Sequence, residues 1–246
     1  MREKITEAAE KIRNSVHTTA FTGAGISVES GIPPFRGPDG LWSRYDPKIL
    51  DIDYFFSDSK NAWKAINELF YEFFGKVEPN NAHLALAKME KLGYLKTVIT
   101  QNIDNLHQEA GTKNIYEYHG NYRNLLCPYC KSRYDAADFN PGKELPVCPD
   151  DGRILKPDFV FFGEAIPQKA SAAAFNEASV ADVFLLIGTT GEVMPANMVP
   201  RLAKQNGASI IEINPEPSSY TSEITDIFLQ GRAGEILPEI LEVLQK

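Results

Sequence analysis

Three cysteines and one aspartate are spaced like the ligands of a small metal site. Cys127 and Cys130 form a C-x-x-C pair, and after a spacer of zinc-ribbon length Cys148 begins a second pair that ends in Asp151. Thiolate sulfur and carboxylate oxygen both bind Zn²⁺, which takes four ligands in most structural sites. The pattern alone leaves several interpretations open: a zinc site with an unusual fourth ligand, a weakened site in which Asp150 or water competes, a site that has lost its metal, and a coincidence of three cysteines.

A glycine-rich segment near the N-terminus is suited to binding a phosphate through backbone N–H groups. Gly23 and Gly25 follow an apolar run in "TGAGIS", although Val28 stands where a dinucleotide fingerprint has its third glycine. A tight turn needed only for packing explains the two glycines equally well. In the following loop, "ESGIPPFRGPDGLW", Arg36 is suited to a phosphate or a ribose and Phe35 to an apolar face. The alternative for this loop is a rigid surface connection with a solvated arginine.

Two more segments place polar side chains directly after apolar runs. "ITQNID" supplies Gln101, Asn102 and Asp104, which suit a carboxamide and hydroxyl groups, although a helix cap is the commoner role for such residues. "YHG" supplies His119, whose imidazole titrates near neutral pH and suits a general base. A lone histidine is more often structural, so its position among the other loops carries the prediction. The remaining histidines are predicted to pack or to face solvent: His17, His83 and His107.

Near the C-terminus, "IGTTGEVMPA" and "EINPEP" continue the same pattern. Gly188, Thr189 and Thr190 follow one apolar run and Asn214 ends another. The threonines are equally suited to cap a following helix. Asn214 occupies a strand end where an acidic residue often holds an adenosine ribose, and its amide oxygen can accept from a hydroxyl.

The elements that must position these residues alternate between strand and helix. Apolar runs bounded by Gly, Asn or Pro predict buried parallel strands in "HTTAFT", "YLKTVIT", "NIYEYH", "DVFLLIG" and "ASIIEIN". Helices are predicted at the N-terminus, from residue 61, in "NNAHLALAKMEKLG" with Gly93 as its cap, and over 169–179, 196–205 and 234–245. The alternation predicts a doubly wound α/β sheet, whose ligands bind at the carboxyl ends of the strands. All the loops described above lie at such ends.

Composition excludes several classes of protein. The chain has 246 residues, 43% of them hydrophobic and 24% charged, as in ordinary globular proteins. Its net charge of −8 argues against a general nucleic-acid binder and is compatible with a lysine-rich peptide as partner. The N-terminus has no secretory signal pattern and no apolar run approaches bilayer length, so a cytoplasmic enzyme is expected, with no membrane partner.

Taken in order, the motifs resemble those of the sirtuins, the NAD-dependent protein-lysine deacylases. The resemblance runs from about Phe21 to Leu237 and includes "KPDFVFFGE" between the cysteine module and "GTTGEVMPA". It implies a Rossmann-like doubly wound sheet over residues 1–40, 76–120 and 156–246. It also implies an inserted small unit, a helical segment plus a zinc ribbon, over residues 41–75 and 121–155.

The resemblance implies a deacetylase that attacks C1′ of NAD with the acyl-lysine oxygen. His119 would be the general base acting through the ribose hydroxyls, Asn102 would order solvent and Asp104 would hold the nicotinamide carboxamide. The products would be nicotinamide, lysine and 2′-O-acetyl-ADP-ribose.

The implied NAD contacts are Gly23, Ala24, Gly25, Phe35, Arg36, Gln101, Asn102, Ile103, Asp104, Gly188, Thr189, Thr190, Asn214, Pro215 and Ala233. The implied contacts with the acetyl-lysine peptide, which would add a strand to "DFVFFGE", are Val160, Phe162, Gly163 and Glu164. The implied zinc ligands are Cys127, Cys130, Cys148 and Asp151.

Two positions depart from the pattern of the family. Pro34 stands where a polar residue is usual, which removes a donor and stiffens the cofactor loop. No arginine is found at the positions that recognise acidic acyl groups, where the chain has Ile66 and Leu69 or, in a shifted alignment, Asn67 and Phe70. Neutral acyl groups are therefore expected, with acetyl first. The alternatives are a mono-ADP-ribosyltransferase, a non-catalytic NAD or acyl-lysine sensor and, with little weight, a zinc-ribbon nucleic-acid binder.

Overall fold

The computed structural model describes residues 1–37, 40–71, 76–140 and 144–246. These residues form the following strands: β1 Thr18–Thr22, β2 Thr97–Thr100, β3 Ile115–Glu117, β4 Gly120–Leu126, β5 Arg133–Asp135, β6 Lys156–Phe159, β7 Val183–Ile187, β8 Ser209–Asn214 and β9 Ile227–Gln230. The α-helices are α1 Arg2–Asn14, α2 Ile52–Ser57, α3 Ser59–Ile66, α4 Asn81–Lys91, α5 Leu106–Glu109, α6 Gln168–Val180, α7 Met198–Gln205 and α8 Ala233–Leu244. Shorter helical turns are Ala24–Ser30, Leu41–Ser43, Pro47–Leu50, Asn67–Tyr71 and Ala136–Asp138.

Six parallel strands form the large sheet in the order β3-β2-β1-β7-β8-β9. Every residue of β1 and of β7 is buried, which explains why their sequences are apolar or threonine without alternation. The order reverses direction between β1 and β7, so their carboxyl ends form the crevice where doubly wound sheets bind ligands. The five predicted strands of this sheet are confirmed, and β9 at its edge was not predicted.

Helices cover both faces of the large sheet. Alternate residues of one strand point to opposite faces: Ala20 joins the apolar cluster beneath α1, α4 and α8, whereas Phe21 joins the cluster beneath α6 and α7. Helix α1 buries Ile5, Ala8, Ala9 and Ile12, the face predicted for it. Helix α4 begins at a capping box of Asn80 and His83, which was not predicted. It is followed by the predicted cap Gly93, with φ of +85°.

A second, antiparallel sheet in the order β5-β4-β6 packs with α2 and α3. Trp63 lies at the centre of this unit, where its indole N–H donates to the carbonyl of Leu155 at 2.9 Å. The apolar cluster extends past the predicted boundary at residue 155, because Phe159 and Phe161 pack into it. The division into two units stays a prediction. The predicted units include residues 38–39, 72–75 and 141–143, which lie outside the described residues.

Within the described ranges, no helix is both long enough and apolar enough to cross a bilayer.

Candidate active site

The loops after β1 and β7 pack against each other through glycine. A Cβ on Gly23 would lie 2.7 Å from the Gly188 carbonyl oxygen, and one on Gly25 would lie 2.7 Å from the Cα of Gly188. The Gly23 and Gly25 N–H groups donate to the carbonyls of Ile187 and Gly188, both at 2.9 Å. These N–H groups are therefore used within the protein, which corrects the expectation that they face a pyrophosphate. The glycines are needed for loop packing, and their contact with a cofactor stays a prediction.

Asn102 and Asp104 are brought together after β2 by a serine from the first loop. The Asn102 amide donates to the carbonyl of Gly23 at 3.2 Å and to Ser27 Oγ at 3.1 Å, so its Oδ1 is left to accept. Ser27 Oγ donates to Asp104 Oδ2 at 2.7 Å, and the Leu106 N–H donates to Oδ1. Burial raises the pKa of Asp104. Ser27 thus fixes the two residues that the sequence predicts for the nicotinamide end.

Two histidines lie beneath this polar group and are completely buried. His83 Nδ1 accepts from the Asn80 N–H, and Nε2 lies 3.5 Å from Ser27 Oγ. His107 Nε2 lies 3.0 Å from Thr22 Oγ1, and the two imidazole rings are 4.8 Å apart. Burial lowers the pKa of His83 to about 4, and burial also lowers the pKa of His107 well below its ordinary value. Both rings are therefore neutral at pH 7 and support the site from below, in keeping with the packing role predicted for them.

His119 follows β3 and has one ring nitrogen fixed by the backbone. Nδ1 lies 3.0 Å from the carbonyl oxygen of Gln101, which can only accept, so Nδ1 carries the proton and Nε2 the lone pair. Nε2 has no hydrogen-bond partner among the described residues. Burial lowers the pKa of the ring, and the Gln101 carbonyl opposes this change. The arrangement holds a neutral imidazole with its basic nitrogen free, as a general base requires.

Gln101 joins this base to the loop after β7. Its side-chain amide donates to Thr189 Oγ1 at 3.1 Å, and its backbone N–H donates to the carbonyl of Thr22 at 2.9 Å. Asn214, at the end of β8, donates to the Thr189 carbonyl at 3.2 Å. Thr190 is exposed. The loops after β1, β2, β7 and β8 therefore form one connected edge.

The predicted adenosine end contains one contact that was not foreseen. Glu29, on the turn after β1, accepts from the Gly234 N–H at 2.8 Å and so satisfies the N-terminus of α8. Ala233 is buried beside it, and Pro215 is exposed after β8. Ala233 and Pro215 therefore both lie near the carboxyl edge, at α8 and β8 respectively.

Phe35 and Arg36 point to different neighbours. The Phe35 ring packs 5.3 Å from Trp42 and joins the apolar cluster of the small unit, together with Ile103. Arg36 Nε forms an exposed ion pair with Glu192 at 2.9 Å. The carbonyl of Pro34 accepts from the Leu41 N–H at 2.8 Å, so the loop closes on itself despite the missing donor.

The segment after β6 is anchored at both ends. The Val160 N–H donates to the carbonyl of His119 at 2.9 Å, and Phe162 exchanges two backbone hydrogen bonds with Leu50 and Ile52. Glu164 accepts from the Phe161 N–H at 2.9 Å. The backbone of Phe162 is already paired, so a peptide strand would have to use the Val160 carbonyl and the backbone of Gly163.

Glu164 also forms an ion pair with a buried lysine. Its carboxylate lies 3.1 Å from Lys156 Nζ, which in addition donates to the carbonyls of Pro157 and Phe159. Burial lowers the pKa of Lys156, and the Glu164 carboxylate opposes that change.

The predicted zinc ligands converge in space. The ligand atoms of Cys127, Cys130, Cys148 and Asp151 all lie within 4.8 Å of one another. Cys130 Sγ lies 3.6 Å from Cys148 Sγ, and Cys127 Sγ lies 3.3 Å from Asp151 Oδ2. Tetrahedral Zn²⁺ with bonds of about 2.3 Å to sulfur separates its ligands by about 3.8 Å, so the residues fit the metal.

Asp150 takes other partners than this cluster. Its Oδ2 accepts from Ser132 Oγ and from Tyr134 Oη, each at 2.8 Å. Asp151 accepts from the Arg153 N–H through Oδ1, which leaves Oδ2 directed at the sulfurs. This geometry favours Asp151 over Asp150 as the fourth ligand.

Comparison with protein families agrees with this geometry. The model of the Sir2 family matches residues 23–195. The chain belongs to the Sir2 family. An NAD-dependent protein deacylase of Pyrococcus furiosus is 45% identical over 98% of this chain and 98% of its own. NAD-dependent protein deacetylase 1 of Pyrobaculum aerophilum is 44% identical over 99% of this chain and 96% of its own.

Solved Sir2 structures have the same fold. A Sir2 enzyme solved to explain mechanism and regulation has a TM-score of 0.93 at 42% identity, covering 100% of this chain and 99% of its own. A Sir2 homologue in complex with NAD has a TM-score of 0.91 at 39% identity, covering 97% and 93%. A Sir2 variant with a deacetylated p53 peptide and 3′-O-acetyl-ADP-ribose has a TM-score of 0.90 at 32% identity, covering 97% of each chain. The predicted Sir2 membership and Rossmann-like fold are confirmed.

Sequence reasoning missed three polar residues of this Sir2 site: Ser27 and Glu212, which are buried, and Glu29, which is exposed. Ser27 ends the "TGAGIS" motif, and its small hydroxyl directly after a glycine turn was the available signal. Glu212 is fully buried inside a run that was interpreted as continuously apolar. No local pattern identifies Glu29, because its partner Gly234 lies 205 residues away.

Proposed function

We propose that this chain is an NAD-dependent protein-lysine deacetylase that releases nicotinamide and 2′-O-acetyl-ADP-ribose. The single observation that carries the proposal is the orientation of His119. Its Nδ1–H is committed to the Gln101 carbonyl, so a basic Nε2 remains at the carboxyl edge of the sheet. The names of the relatives from Pyrococcus and Pyrobaculum support the same activity.

NAD is the second substrate, and it supplies an electrophilic C1′ with nicotinamide as leaving group. The proposed contacts follow the connected edge: the loop of Gly23 to Gly25, Phe35, Arg36, residues 101–104, residues 188–190, Asn214, Pro215 and Ala233. Asn102 presents an oxygen that orders a hydroxyl or water, because its N–H groups are already used. His119 accepts a proton from a ribose hydroxyl through Nε2. Phe35 and its aromatic neighbours exclude water from the reacting carbon.

The acyl-lysine is carried by a protein or a peptide. Val160, Phe162, Gly163 and Glu164 form the proposed peptide-binding segment; Phe162 is 45% exposed and packs 6.3 Å from Trp42. Ile66, Leu69 and Phe70 are buried in the small unit, so none of these positions offers a cation to an acidic acyl group. Acetyl and other neutral acyl groups are therefore the proposed substrates.

Zn²⁺ is the proposed metal, held by Cys127, Cys130, Cys148 and Asp151 in a structural role. The convergence of the four ligand atoms supports it, and so does the orientation of Asp151. Four protein ligands leave no open position, as in structural rather than catalytic zinc sites. A cytoplasmic location, without nucleic-acid or membrane partners, stays a prediction.

Mass spectrometry of an acetyl-lysine peptide tests the proposal. The peptide is incubated with the purified protein with and without NAD, and beside it with His119→Ala. We expect loss of the acetyl group only with NAD and an intact His119, together with formation of acetyl-ADP-ribose. A gain of ADP-ribose on the protein or peptide would indicate the transferase alternative. Binding of NAD without any product would indicate a sensor.

A further inference from the structure

Glu212 is a fully buried carboxylate in the middle of β8. It forms no ion pair within the described part of the chain. Oε1 accepts from Asn214 Nδ2 at 2.9 Å and from Ser218 Oγ at 2.6 Å. Oε2 accepts from Thr221 Oγ1 at 2.9 Å and from Thr225 Oγ1 at 2.7 Å. A buried carboxylate requires such compensation, and here neutral donors alone provide it.

These contacts decide which way the amide of Asn214 faces. Its Nδ2 lies against the carboxylate of Glu212 and the carbonyl of Thr189, and neither of those groups can donate. A reversed amide would place three acceptor oxygens against one another. Both N–H groups of the Asn214 side-chain amide therefore donate within the protein, and of this amide only Oδ1 remains for a ligand. Oδ1 makes no hydrogen bond within the part of the chain that the structure describes.

We propose that Glu212 is a positioning residue that makes Asn214 a pure acceptor and thereby selects a dinucleotide with a free ribose hydroxyl over its 2′-phosphorylated form. The inference rests on the proposed function, since that function places the adenosine ribose at Asn214. The proposal places the 2′-hydroxyl of that ribose at Oδ1, to which it can donate. A 2′-phosphate at this position is mostly the dianion at neutral pH, and its charge would approach both Oδ1 and the buried carboxylate. The selectivity between the two dinucleotides thus arises from repulsion of the phosphate as well as from the hydrogen bond of the hydroxyl.

Equilibrium binding of two unreactive probes, ADP-ribose and 2′-phospho-ADP-ribose, tests this inference by calorimetry. The wild-type protein should bind ADP-ribose about 100-fold more tightly than the phosphorylated probe. Glu212→Met removes one of the two acceptors that hold the Asn214 amide and leaves only the Thr189 carbonyl. ADP-ribose should therefore bind about 10-fold more weakly, and the ratio of the two probe affinities should decrease. Glu212→Gln keeps a carbonyl that can accept from Asn214 and should retain most of the affinity.

A double-mutant cycle separates positioning from a general structural effect. In an Asn214→Ala background, Glu212→Met should cause no further loss of ADP-ribose affinity, because the residue through which it acts is gone. Thr225→Val is the matched control: it removes one donor from Oε2, lowers the melting temperature and leaves ADP-ribose binding within about twofold. An equal further loss in the Asn214→Ala background would overturn the inference.

The affinities of the wild-type protein for the two probes test the inference even if Glu212→Met does not fold. Equal affinity of the wild type for the two probes overturns it, whatever the variants do. Failure of the proposed function has a different signature, because the peptide assay would then give no deacetylated peptide whatever the ratio of the two probe affinities.

Discussion

The imidazole of His119 titrates in surroundings that favour its neutral form. Burial lowers its pKa from the ordinary value of 6.5, and the free Nε2 acts as a base only while the ring is unprotonated. Because protonation then requires a more acidic solution, the deacetylase activity should persist below pH 6.5. We expect the acid limb of kcat/KM to have its midpoint below 6.5, measured with zinc content checked at each pH. A midpoint at or above 6.5 would contradict this assignment.

A substitution of Gly188 tests whether the loops after β1 and β7 need glycine for packing or only for backbone conformation. It has φ of +62°, and an added Cβ would lie 2.3 Å from the backbone nitrogen of Ile26. Gly207 also has positive φ, +93°, but open space around it. Gly207→Ala should therefore cost about 1–2 kcal/mol from backbone strain alone. Gly188→Ala should cost clearly more and abolish NAD binding, measured by chemical unfolding and calorimetry; equal costs would show that packing is irrelevant.

At the scale of elements, the segment between β5 and β6 offers two adjacent aspartates with different partners. Asp151 faces the sulfurs, whereas Asp150 accepts from Ser132 and Tyr134. Asp151→Ala should lower the zinc content of the purified protein and the melting temperature, and Asp151→Cys should retain the metal. Asp150→Ala is the matched control and should keep the full zinc content. Metal analysis showing loss in the Asp150 variant and retention in Asp151→Ala would reverse the assignment.

The turn after β6 depends on the pair of Lys156 and Glu164. Lys156 is buried, so Glu164→Gln should leave its ammonium group undercompensated and cost about 2 kcal/mol of unfolding free energy. Adding Lys156→Met should recover much of that loss. The exposed pair of Arg133 and Asp158 is the control, and Arg133→Ala should cost less than about 1 kcal/mol. If urea unfolding gave additive losses of unfolding free energy for Lys156→Met and Glu164→Gln, the two residues would act independently.

The sequence predicts elements well where one pattern determines them and poorly where distant partners do. Buried strands such as β7 are visible as apolar runs, and α4 is visible through its helical apolar period and Gly93. Strand β9 has only four residues and alternating burial at the sheet edge, too short a signal for prediction. The charge of Glu212 is satisfied by hydroxyls from the loop that follows β8, and strand periodicity contains no information about them.

At the scale of the whole molecule, the strand-end residues meet because parallel strands align their carboxyl ends. That rule places residues 23, 101, 119, 188 and 214 at one edge before any contact is known. It does not place the supports beneath them. Ser27, His83 and His107 belong to a turn, α4 and α5, and their contact depends on how helices pack over the sheet. The site was thus predictable at its strand ends and not in the supports that pack beneath them.

The buried histidine pair links the stability of the whole molecule to pH. Folding holds His83 neutral with a pKa of about 4, whereas its value in the unfolded chain is 6.5, and the pKa of His107 is lowered in the same direction. Below pH 6.5 the unfolded chain therefore binds protons that the folded protein does not, and stability falls as the pH decreases toward 4. His83 alone should reduce the unfolding free energy by about 2 kcal/mol between pH 7 and pH 5, and His107 adds to that loss.

Guanidinium unfolding at the two pH values measures this effect, and a variant separates it from the effects of the carboxylates and the cysteine cluster, which also respond to acid. His83→Gln removes one titrating group, so the loss between pH 7 and pH 5 should shrink by about 2 kcal/mol relative to the wild type. An unchanged loss in His83→Gln would mean that folding does not lower the pKa of His83. The ring would then be protonated at pH 5 in the folded protein and could not accept from the Asn80 N–H.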